Sequence, residues 1–187
     1  MRRYSLPLIA LHWLTAVIIL VCWFVAEGGP RVRSNVPLLH MTLGLSVLVL
    51  VAARLIARFA DGRPAPDAAT PPLLAMAARA GHGLLYVLMI ALPLTGWYTA
   101  SRLAIPVSFF GLQLPPLAMP VLGPPGIIGE LHENGGTFIL ILAGLHGAIA
   151  LWHQFVRRDG TLARMSPFTP RHAGSPEPAS TWSSKQH

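Results

Sequence analysis

Hydrophobic positions in this chain are gathered into four long blocks. Residues 6–26, 36–53, 80–98 and 134–156 hold no Asp, Glu, Lys or Arg, and the blocks are 21, 18, 19 and 23 residues long. At about 1.5 Å of rise per residue, each spans a hydrocarbon core of about 30 Å, alone or with its flanks. The pattern predicts an all-α fold, a four-helix transmembrane bundle. Between the blocks lie a turn-rich connection, "EGGPRVRSN", and a polar, proline-rich one, "DGRPAPDAATPP", after which residues 73–79 can start the third helix early. Residues 101–131 contain six prolines, which forbid a long regular helix, yet the segment is too apolar to stand free in water. It reads as a loop packed on the bundle mouth, compatible with a lid over a cofactor edge. Residues 1–168 form the transmembrane domain in this reading, and the Ser/Pro-rich tail, 169–187, is expected to be disordered and cytoplasmic.

Composition agrees with a membrane protein. Of 187 residues, 53% are hydrophobic and only 11% charged. Arg2, Arg3 and the first block resemble a signal peptide, but the run is long, His12 and Trp13 interrupt it, and Phe24 spoils the small-residue pattern, so it reads as a retained helix. The net charge of +7 is a matter of topology. Eleven basic residues fall before block one, between blocks two and three, or after block four, against Arg31, Arg33 and Arg102 on the other side. The positive-inside rule then puts both termini in the cytoplasm of a multi-pass protein of the bacterial inner membrane, with no nucleic-acid partner implied. The single cysteine, Cys22, forms no intrachain disulfide, and no C-x-x-C-H sequence is present to attach a c-type haem.

Chemistry enters with histidine. His12, His40, His82, His146 and His153 lie inside the blocks and His132 at the entrance of the fourth. Ionisable residues inside spans are rare and face the bundle interior with a partner. His132 and His146 are 14 residues apart, about 21 Å along a helix and about 40° in rotation, so they share a face with one in each leaflet. His40 is level with His132, and His12 with His146. Two stacked histidine pairs are what two axially ligated haems require, because a neutral imidazole gives one nitrogen to iron. Ala16, Gly44, Gly136 and Ala150, four positions after each, leave room for a flat macrocycle. Spacing leaves the set open. His153, seven residues beyond His146, shares its face and could replace it, at about 32 Å from His132.

The fragments "LHW", "LLHMTLG", "GHGLLYVLMIALPLTG" and "LHENGG…GLHGAIALWH" together resemble the prokaryotic cytochrome b561 family over residues 4–168. The resemblance implies two non-covalent b haems, the external one held by His40 and His132 and the cytoplasmic one by His12 and His146. It implies a dihaem oxidoreductase similar to superoxide oxidase, carrying electrons from periplasmic superoxide to membrane ubiquinone. Similar four-histidine cores occur in membrane-anchor subunits that relay electrons from a partner dehydrogenase or hydrogenase to quinone. That is the alternative function. His153, then His82, are the candidate quinone-site residues, since an imidazole can hydrogen-bond a quinone carbonyl and deliver a proton. Arg31, Arg33 and Arg102 could attract superoxide, with Glu130 and Glu133 opposing them. A histidine-lined metal or proton transporter would call for carboxylates within the spans, and there are none.

Overall fold

The computed structural model describes residues 4–26, 38–61, 71–121, 123–124, 126–160 and 162–166. The tail 169–187, the connection 27–37 with Arg31 and Arg33, and residues 62–70 lie outside them. Helix α1 spans Leu6–Ala26, α2 Leu38–Asp61, α3 Pro72–Arg102 and α4 Gly126–Trp152. All four are long and apolar enough to cross a membrane. Each starts or stops for a local reason. Ser5 caps α1 by accepting the Leu8 N–H at 3.4 Å, and its hydroxyl also donates to Asp61 at the end of α2. That bond ties the start of α1 to the end of α2, so the two helices run antiparallel. Pro71 and Pro72 open α3, where a missing N–H costs nothing. Pro93 lies inside α3, removing one bond from the helix ladder, a loss that helices in lipid tolerate when neighbours satisfy the freed groups.

The helices pack α1 on α2, α2 on α3, α3 on α4 and α4 back on α1, so α2 and α4 face each other across the bundle. Val47, Val51, Met89 and Ile139 form the central core. Outward stand exposed apolar side chains on every helix, among them Phe24, Ile56, Val87 and Ile141. In water so much apolar surface would aggregate; in a bilayer it is the lipid contact, and the interior is held by close packing.

Residues 103–121 fold back over one end of the bundle. Val107 is buried against Leu45 and Ala100, with Trp97, Ile105 and Leu114 around them. The Trp97 indole donates to the Pro115 carbonyl at 3.1 Å, and the Leu117 N–H donates to the Ser101 hydroxyl at 3.0 Å. The segment expected as a loop contains a small hairpin, β1 Ser108–Phe109 against β2 Leu112–Gln113, with Phe109 opposite Leu112. Its two-residue turn, Phe110 and Gly111, has positive φ at both positions, as the tightest hairpins require. Helix α4 begins at Gly126, within the stretch read as irregular, so His132 stands more than a turn inside the helix. At the other end α4 loosens into a π turn, His153–Arg157, closed by Arg158 in the left-handed region. The Trp13 indole donates to the Met165 carbonyl at 2.9 Å, bringing the chain after α4 back to α1.

Candidate cofactor site

His40 and His132 meet across the bundle, one from α2 and one from α4. Their ring centroids are 6.0 Å apart and the planes nearly perpendicular, at 86°. Both rings are fixed by the backbone. His132 Nδ1 lies 2.9 Å from the Leu92 carbonyl, and His40 Nδ1 lies 3.1 Å from the Cys22 carbonyl. A carbonyl can only accept, so Nδ1 carries the proton on each ring and Nε2 keeps its lone pair. This is how a metal-ligating imidazole is usually oriented. Gly96 makes the arrangement sterically possible: a Cβ there would stand 2.7 Å from His132 Cε1.

Both rings line a cavity of about 630 Å³, within the range of small-molecule and cofactor sites. Gly44 and Gly136 line it, and a Cβ on either would meet nothing within 4 Å. Leu103, Ile105 and Val107 of the covering segment close one side, and the buried Thr99 hydroxyl on the wall has no hydrogen-bond partner among the described residues.

A second imidazole group stands lower in the bundle. His12 of α1 and His146 of α4 are 6.2 Å apart between centroids, at 71°. Among the described residues the buried His12 Nδ1 has no hydrogen-bond partner. His82 of α3 joins them, 5.0 Å from His146, with its Nδ1–H donated to the Ala78 carbonyl at 2.6 Å. His82, named from the sequence as a candidate quinone-site residue, thus has its ring against His146. His153 is elsewhere, in the π turn, where its Nδ1 pairs with the Asp159 carboxylate at 2.5 Å and Arg157 stands 3.9 Å from the same oxygen.

These groups fit b-type haem. Metal–imidazole bonds of about 2 Å on opposite faces of one ion put the ring centroids about 6 Å apart. The His40–His132 and His12–His146 separations match that figure, whereas His82–His146 is an ångström short. Among the described residues no three His, Cys, Asp or Glu side chains gather as a metal cage. Paired imidazoles, the first couple beside an apolar slot, are the donor set of a macrocycle that brings its own four equatorial nitrogens.

The residue that sequence reasoning overlooked is Arg54, counted there as a topology charge. It is buried, only 7% exposed, with its guanidinium over the Tyr86 ring at 5.3 Å from the centroid. A signal was present: Arg54 follows His40 by the same 14 residues that separate His146 from His132.

Comparison with known proteins shows the family. The family model described as prokaryotic cytochrome b561 matches residues 3–168. Cytochrome b561 homolog 2 of Escherichia coli K12 is 31% identical over 174 residues, covering 88% of this chain and 91% of the relative. Cytochrome b561 homolog 1 of the same organism is 30% identical, over 89% of this chain and 98% of the relative. The probable superoxide oxidase CybB of Yersinia pestis is 28% identical, over 89% and 97%.

Proposed function

Since the chain belongs to the prokaryotic cytochrome b561 family of membrane electron-transfer proteins, which implies b-type haem, we propose that it is a dihaem oxidoreductase moving electrons from periplasmic superoxide to ubiquinone. The observation that carries this reading is the pair of imidazole couples, at 6.0 and 6.2 Å, joined by one face of α4. His40 with His132, and His12 with His146, are the proposed axial ligands. Bound haem supplies reversible one-electron iron chemistry, which no side chain here could provide. The likeness to a probable superoxide oxidase supports superoxide as the donor.

The chain's own residues orient, shield and deliver protons. The Leu92 and Cys22 carbonyls hold the Nδ1 protons of His132 and His40, so each Nε2 is aimed and unprotonated. Gly44 and Gly136 leave a slot for the ring, and Leu103, Ile105 and Val107 keep bulk water from it. Two superoxide ions give one electron each and leave as dioxygen, while ubiquinone takes up two electrons and two protons to become ubiquinol. His153 is the proposed proton donor to a quinone carbonyl, with Asp159 holding its far nitrogen so that Nε2 points away from the carboxylate. His82 is the second candidate. Residues 1–168 constitute the functional unit, in the bacterial inner membrane with both termini cytoplasmic.

Reduced-minus-oxidised spectroscopy with pyridine-haemochrome quantitation on the purified protein tests the haem reading, and two b haems per chain are expected. Superoxide-dependent reduction of ubiquinone by the isolated chain is the expected activity. Activity seen only in a stable complex with a large catalytic subunit would establish the anchor role instead.

A further inference from the structure

Arg54 is a permanent cation in the interior of a membrane bundle, with Tyr86 as its aromatic neighbour and no acidic one among the described residues. Among the described residues its Nε has no hydrogen-bond partner, and no carboxylate lies within ion-pair distance of it. The nearest acid on its helix, Asp61, is engaged by Ser5. The face of Tyr86 offsets only part of the cost of taking a guanidinium out of water. An anion that arrives from outside the chain would complete the site.

Position says which anion. Arg54 lies about 21 Å and about 40° from His40 along α2, as His146 lies from His132 along α4. It therefore stands at the depth of the His12–His146 couple and on the inward side of its helix. Arg58, one turn further along, is only half-buried and nearer the helix end. Haem carries two carboxylate side chains, and a carboxylate in a poorly solvated bundle needs a fixed cation as much as Arg54 needs an anion. A guanidinium meets that need with two parallel N–H donors, a geometry that a lysine lacks.

We propose that Arg54 is the carboxylate-binding site for the cofactor at the His12–His146 couple, holding one of its propionates. The proposal rests on the haem reading above. With its propionate neutralised, the site accepts an electron more readily; without Arg54, the unbalanced negative charge opposes reduction.

Full-length protein carrying Arg54→Met, Arg54→Gln or Arg54→Lys, purified alongside wild type and His146→Leu, gives the test by potentiometric titration and haem quantitation. Wild type should titrate as two components, and His146→Leu identifies the lower one in the bundle by removing it. In Arg54→Met and Arg54→Gln that component alone should become about tenfold harder to reduce, about 59 mV for a one-electron couple, or be lost. Arg54→Lys should keep most of its potential. Unchanged potentials in Arg54→Met overturn the proposal, and so does an equal disturbance of both components, which marks a structural role. Repeating the titration in zwitterionic detergent and in vesicles of anionic phospholipid separates a second source of anion. A shift seen only with anionic lipid assigns Arg54 to a headgroup and overturns the proposal. A wild type without two components refutes the haem reading itself, whatever Arg54 does.

Discussion

Glycine has two opposite uses in the upper site, and they predict different failures. At Gly96 a Cβ would enter the His132 ring, 2.7 Å from Cε1. Gly96→Ala should push that ring off the Leu92 carbonyl, costing about 1–3 kcal/mol as overpacking does and removing about half of the bound haem. At Gly136 a Cβ meets no protein atom. Gly136→Val should therefore leave the helix bundle folded, as circular dichroism would show, yet lower the haem content of the His40–His132 site. Normal haem in the Gly136 variant would mean that the slot is not where the macrocycle lies. A third residue-level expectation concerns Asp159. Asp159→Asn cannot hold a protonated imidazole as a carboxylate does, so quinone reduction should fall several-fold with both haems retained; an unchanged rate would remove His153 from the proton path.

The four helices were legible because a run of about 20 residues without a charge is what a hydrocarbon core demands of a helix that crosses it. The first charge-free block and α1 share the same bounds, Leu6–Ala26. Elsewhere the helices run past the blocks into polar flanks: α2 carries Arg54 and Arg58 before Asp61, and α3 starts at Pro72. The hairpin was illegible because two-residue strands have no alternation to read, and its turn depends on a positive φ at Phe110, an uncommon conformation for an aromatic residue. Similarly, the proximity of His82 to His146 is a matter of how α3 leans on α4, which no single-helix periodicity encodes. The pairing of His40 with His132 was more accessible, since both lie near the start of an inward face. At this scale the Ser5 cap also gives a prediction. Ser5→Ala removes both the α1 cap and the tie to Asp61, and should lower the thermal stability of the purified protein, with about 1 kcal/mol lost from the cap.

Across the whole molecule, α4 is the element that joins the two halves of the site. It supplies His132 to a couple completed by α2 and His146 to one completed by α1, with about 21 Å of axis between them. The covering segment closes one side of the cavity beside the first couple, while the His153–Asp159 pair lies beyond the second, next to residues 162–166, whose Met165 carbonyl meets Trp13. A donor and an acceptor approaching from opposite ends would each meet only one couple. Removing the lower couple should then separate two events that the proposed function joins. In His146→Leu, a single rapid addition of superoxide should still bleach or shift the upper chromophore, giving roughly half of the wild-type absorbance change. Ubiquinone reduction should stop. Stopped-flow absorbance, with quinol followed in the same samples, provides the measurement. If ubiquinol still forms at the wild-type rate, electrons do not pass through the bundle in series, and quinone must be reduced at the same end as the donor is oxidised.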